Sequence, residues 1–152
     1  MPPAASSAPP ASCGAAAHRR DIVTRVHRSL DLQEALTQCG VEGDYSSYAG
    51  VAVRVVPRWL ERVWGSGVDA MTLPGVVYVS PRAREQVDAG EAGRLLVHEA
   101  AHVDQWRSLG MARFLVRYLG DYLRGRAVGL PHHAAYRAIR FEREARARAG
   151  RL

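Results

Sequence analysis

At 152 residues the chain is long enough to bury one substantial core and is short for an enzyme. It has no run of about 18 apolar residues, so no membrane-spanning helix is expected. Its two cysteines, Cys13 and Cys39, offer neither a disulfide framework nor a paired metal site. All 21 basic residues are Arg, and they are unevenly placed: from Arg107 to Leu152, 11 Arg stand against three acids (+8), whereas residues 1–106 carry 10 Arg against 12 acids (−2). A basic C-terminal third can attract nucleic acid, anionic lipid or acidic protein. No nucleic-acid motif accompanies it, so a solvated helical face is the preferred reading and nucleic acid is not expected as a partner.

Residues 1–17 have no large apolar side chain beyond Met1 to offset the entropy of ordering, and they are expected to form a disordered tail before a single domain over 18–152. The tail lacks a basic leader with an apolar core, so no secretory signal is expected and a reducing, cytoplasmic setting is the simplest fit. From His18 to Cys39, Ile22, Val23, Val26 and Leu30 recur at helical spacing, and Leu32, Ala35 and Leu36 continue the helix with or without a break near Ser29 to Asp31. Gly40 is the expected stop. After the turn-rich segment Val41 to Ser47, the β-branched density of Tyr48 to Val56 predicts a strand that Pro57 ends. Arg58 to Trp64 fits a short helix. Ala70 to Leu73 and Val76 to Val79 flank Pro74-Gly75 and read as a hairpin, and Glu85 to Glu91 reads as a loop or short helix.

The next segment carries the chemistry. A helix is expected from Glu91 or Gly93 to Leu109, capped by Gly110, and it contains His98-Glu99-Ala100-Ala101-His102. Residues four apart share a helical face, so His98 and His102 can offer two imidazoles to one metal ion, with Glu99 placed to reach a metal-bound water. This is the H-E-x-x-H signature of zinc peptidases. Beyond Gly110, Met111, Phe114, Leu115, Tyr118, Leu119, Tyr122 and Leu123 keep helical spacing to about Arg126. That helix is expected to pack against the His-Glu helix, with an Arg-flanked membrane-surface helix as the lesser reading. A last helix is expected from about His133 to Ala149.

A catalytic zinc needs a third protein ligand. A third His six residues past His102 is excluded, because Ser108 stands there. Among the acids beyond Gly110, Glu142 lies in the apolar stripe Ala135, Ala138, Ile139, Ala145 and Ala149. Burying a lone carboxylate there is costly unless it is paired or metal-bound. Glu142 is therefore the expected ligand. Glu144, readily explained by ion pairs with Arg140 and Arg148 on a solvated face, is the fallback. Gln105, three residues past His102, can orient a ligand or touch substrate, and so can His132 or His133. Tyr136 is a candidate catalytic phenol on the helix of Glu142, whereas Tyr118 and Tyr122 read as core aromatics.

The order of a Val-rich strand, VDAMTLPGVVYVS, LLVHEAAHVDQW, an amphipathic helix and FEREA resembles the zincin-like metallopeptidase domains found near bacterial contractile injection systems, over about residues 50–146. The Glu142-Arg143-Glu144-Ala145 pattern is similar to the third-ligand helix of gluzincins, in which the first Glu binds zinc. Many such helices continue with Asp or Asn, where this chain has Arg146. The resemblance implies an α+β fold with a minimal zincin-like core: a small antiparallel or mixed sheet packed on the H-E-x-x-H helix and two C-terminal helices. It implies zinc-dependent hydrolysis of a peptide or protein substrate. From its place in the chain before the His-Glu helix, Val76 to Val79 is the expected edge along which that peptide adds. The alternatives are an inactive or regulatory zincin-like protein, or a zinc-stabilised protein whose Arg-rich region binds an anionic partner.

Overall fold

The computed structural model describes residues 30–60 and 68–152. The expected tail, the first half of the helix from His18 and the end of the helix from Arg58 lie outside these residues. Within them the fold is α+β, built on a mixed four-stranded sheet of order β1 (Leu30–Asp31), β2 (Ala52–Val55), β4 (Val76–Val79), β3 (Ala70–Leu73). β1 pairs antiparallel with β2, β2 parallel with β4, and β3 antiparallel with β4 across the Pro74-Gly75 turn. Gly75 has φ +79°, a conformation that favours glycine.

The helical pattern through Leu30 is broken at the expected place, but by a strand. Leu30–Asp31 pairs with Val53 and Ala52, and helix α1 (Leu32–Gln38) starts only afterwards. Asp31 is the reason: its carboxylate accepts from Glu34 N while the Glu34 carboxylate accepts from Asp31 N, a reciprocal capping box. The strand expected from Tyr48 is shorter, because Ser46–Tyr48 forms a 3-10 turn. Residues 85–88 complete a helix that begins earlier, α2 (Pro81–Asp88), with Ser80 as N-cap and Pro81 in the first turn, and residues 89–91 form the turn after it.

Val76–Val79 is not the sheet edge. It lies between β2 and β3, because the parallel crossover places β2 on its other side. The edge nearest the His-Glu helix is β3. Ser80 N donates to Asp69 O, which sets the alternation that turns the backbone groups of Ala70 and Thr72 outward. The outward carbonyl of Thr72 is already taken by the indole N–H of Trp106 at 3.2 Å.

Helix α3 (Gly93–Leu109) runs beneath the sheet and is buried on several sides. Leu96, Val97, Ala100 and Val103 join the core formed with α1, α2 and the strands. Its later turns join a smaller aromatic core of Trp106, Phe114, Ile139 and Phe141, in which the Phe114 and Phe141 rings stack with centroids 4.9 Å apart. Helix α4 (Met111–Ala127) follows across Gly110. It meets the packing expectation on one face only. Phe114, Tyr118 and Tyr122 turn inward, while Met111, Leu115, Leu119 and Leu123 are exposed.

The single last helix is two, α5 (His132–Ala138) and α6 (Arg140–Ala149), separated by Ile139 at φ −54°, ψ 130°. Ile139 is fully buried in the aromatic core, and the first N–H of α6 is capped from outside, with Arg140 N donating to the Asp121 carboxylate of α4 at 3.2 Å. The stripe inferred for one continuous helix therefore holds for Ala135, Ile139, Glu142, Ala145 and Ala149 but not for Ala138, which is exposed.

Candidate metal centre

The centre is assembled where α3 crosses α6. His98 and His102 project from one face of α3, and Glu142, in the first turn of α6, comes up against them. The two Nε2 atoms are 3.1 Å apart, and the Glu142 carboxylate lies 3.5 Å from His98 Nε2 and 3.3 Å from His102 Nε2. Bonds of about 2.0–2.1 Å to a tetrahedral zinc would separate neighbouring ligand atoms by about 3.3 Å. One ligand atom from each residue can be chosen so that all three lie within 4.8 Å of one another, and Glu142 and His102 are buried.

The hydrogen bonds around His102 fix its tautomer. Gln105 Nε2 donates to Phe141 O at 3.2 Å, which leaves Gln105 Oε1 facing His102 Nδ1 at 2.8 Å. An amide oxygen can only accept, so Nδ1 carries the hydrogen and Nε2 of the neutral ring presents a lone pair toward Glu142 and His98. Three electron-pair donors thus converge on one buried point. Such convergence is stable only with a cation between the groups, either protons or a metal ion.

In the absence of a metal the protons take that role. Burial alone would push the His102 imidazole down, but its bond to Glu142 and the charges of Glu99 and Glu142 carry it above the usual histidine value. Burial would raise the Glu142 carboxyl, yet bonding to His102 and His98 holds it far below the carboxylate range. Glu142 is also reached by the Tyr118 hydroxyl, which donates to Oε1 at 3.0 Å, and by Arg146 at 3.5 Å. Arg146 further donates to the carbonyl of Arg137 and so ties α5 to α6.

Glu99, beside the first His, is 3% exposed. Burial pushes its carboxyl up, partly offset by His102 and by the Thr72 hydroxyl. That hydroxyl donates to Glu99 Oε2 at 2.6 Å from the edge strand β3. Oε1 accepts no hydrogen bond among the described residues. Thr72 escaped the sequence reading: it sits 27 residues from Glu99, and an isolated Thr in a strand carries no spacing signal.

Tyr136 is close enough to Glu142 and Tyr118 for both to act on its phenol. Burial and the Glu142 charge keep its proton on far above neutral pH. Tyr118, expected as a plain core aromatic, packs at the edge of the aromatic core and also bonds a candidate ligand. The remaining candidates lie elsewhere. Glu144 is partly exposed and pairs with Arg140 at 2.8 Å, with Gln105 Nε2 at 3.3 Å. It is not in the cluster, because α6 turns it a further two residues away from α3. His132 bonds the Tyr122 hydroxyl at 2.9 Å and stacks edge-on with His133, and both are exposed at the start of α5.

No protein-family model matches the chain, and no curated protein or solved structure matches it. Among the described residues no helix is long and apolar enough to cross a membrane.

Proposed function

We propose that the chain is a zinc-dependent peptidase in which His98, His102 and Glu142 hold the metal and Glu99 is the general base. The observation that carries this reading is the buried convergence of two imidazole nitrogens and a carboxylate, with an ionisable carboxyl on the residue that follows the first ligand. The donor set, two N and one O, suits zinc with an open fourth position. A zinc ion bound there would supply an acidified water and Lewis acidity toward a carbonyl. The choice of a peptide bond rests on the zincin-like resemblance of the motifs.

Within that reading the chain's own groups have distinct tasks. Glu99 takes the proton of the attacking water on Oε1 and passes it to the leaving amine, and its raised affinity for a proton suits both halves of that transfer. Thr72 engages Oε2, which keeps the carboxylate from turning away. Tyr136 keeps its phenol proton and can offer it in a hydrogen bond to the oxyanion that forms on the attacked carbonyl. Gln105 holds His102 in the tautomer that binds metal. An extended substrate would approach along β3, where the Ala70 groups and the Thr72 N–H face outward and the Thr72 carbonyl is taken by Trp106.

The test is metal analysis paired with hydrolysis of a fluorogenic peptide mixture. One zinc is expected in the wild type, none in His98→Ala or Glu142→Ala, and zinc without hydrolysis in Glu99→Gln. Unchanged turnover in Glu99→Gln would overturn the mechanism. Zinc bound without hydrolysis by the wild type would favour the regulatory alternative.

A further inference from the structure

The outward face of α4 carries a run of exposed apolar side chains that the metal centre does not use. Met111, Leu115, Val116, Leu119 and Leu123 are each between 49% and 73% exposed. At 100° per residue Leu115, Leu119, Leu123 and Val116 fall within one arc of about 100° on the side away from Phe114, Asp121 and Gly125, with Met111 at its margin beyond the half-buried Tyr122. Met111, Leu115, Leu119 and Leu123 follow one another at i, i+4, so the ridge runs most of the roughly 25 Å of a 17-residue helix. Scattered apolar side chains on a surface need no explanation, but a row of four with Val116 beside it does.

The charges beside the row say what it faces. Arg113, Arg117 and Arg124 form a band along one margin of the arc, and Arg126 lies within its last turn; all four are exposed. Asp121, the one acid of the helix, is turned inward, where it caps Arg140 N and pairs with Arg124 at 3.3 Å. The outward surface therefore offers apolar side chains bordered by cations. A second copy packed antiparallel on the same face would oppose Arg to Arg, whereas an anionic surface complements the Arg band in any orientation of the helix.

We propose that α4 docks this protein on an anionic lipid bilayer. The leucines and Met111 enter the boundary between headgroups and acyl chains while the Arg band meets headgroup phosphates. Tyr118, on the inward flank of the same helix, reaches Glu142. Docking through α4 would therefore bring the ligand cluster near the bilayer surface. The proposal does not depend on the hydrolytic reading, and its test involves binding alone.

The test is co-sedimentation of the full chain with vesicles of phosphatidylcholine plus phosphatidylglycerol, against vesicles of phosphatidylcholine alone. Binding to the anionic vesicles should be tighter by about tenfold or more and should weaken with added salt, since each Arg near the surface is worth roughly 1 kcal/mol. Leu119→Glu/Leu123→Glu should abolish it, and Arg113→Gln/Arg117→Gln should weaken it by about tenfold or more. All four positions are exposed, so the variants should melt as the wild type does. Wild-type protein that stays in the supernatant would overturn the proposal, as would undiminished binding by the Leu pair variant. A wild-type dimer made monomeric by Leu119→Glu/Leu123→Glu, without vesicle binding, would reassign the face to self-association.

Discussion

Thr72 on the edge strand donates its hydroxyl to Glu99 Oε2 at 2.6 Å, and both residues are buried. The strand thereby holds one oxygen of the candidate base while the helix carries two of the candidate ligands, His98 and His102. Thr72→Val keeps the shape and removes the donor. Peptide hydrolysis should fall by about tenfold or more, as expected when an acid–base group loses its orientation, with zinc content unchanged. Thr72→Ser should restore most of the rate, and loss of zinc in Thr72→Val would show that the bond serves the metal site itself.

Gln105 holds His102 through Nδ1. Gln105→Leu removes the acceptor, and partners of this kind are worth about 10- to 100-fold in metal affinity. Competition with a fluorescent zinc chelator should show a loss of that size. An unchanged affinity would mean that the ring orientation is set by packing against Phe114, whose centroid is 6.4 Å away.

The response to pH follows from the direction of the His102 shift. Its folded value is raised above the ordinary one, so in the metal-free protein the His102–Glu142 pairing stabilises the fold fully below about pH 6.5 and less as pH rises through the raised value. On the proposed reading zinc must displace that proton, so zinc binding is expected to strengthen over the same window. Glu142, held far below the carboxylate range, stays ionised throughout. The rise in Tm on adding zinc should therefore be larger at about pH 8 than at about pH 6. Scanning fluorimetry at the two values checks this, and equal shifts would contradict it.

Two glycines of α4 should respond in opposite directions to the same change. A Cβ at Gly120 meets nothing within 4 Å, so Gly120→Ala should stabilise by about 0.5–1 kcal/mol through helix propensity alone. A Cβ at Gly125 would meet the Ala135 Cβ at 3.1 Å and its Cα at 3.2 Å, where α4 and α5 cross. Overpacking costs about 1–3 kcal/mol, so Gly125→Ala should cancel the propensity gain or reverse it. Urea denaturation of both variants measures the difference.

The His98-Glu99-His102 spacing, the span of α3 and the hairpin of β3 and β4 were legible in the sequence because each depends on local period and turn chemistry. Glu142 was legible too, because a carboxylate amid alanines on one helical face needs a partner even before that partner is known. Other features depend on what packs against them. The parallel pairing of β2 with β4 makes β3 the edge. The break at Ile139 follows from its burial in the aromatic core and from Asp121 capping the next helix 19 residues away. Thr72, Tyr118 and the outward face of α4 acquire their roles only from neighbours distant in the chain. Local sequence thus set the elements and the chemical groups, whereas tertiary packing decided which groups meet, because hydrogen bonds and burial act through space and leave no periodic mark along the chain.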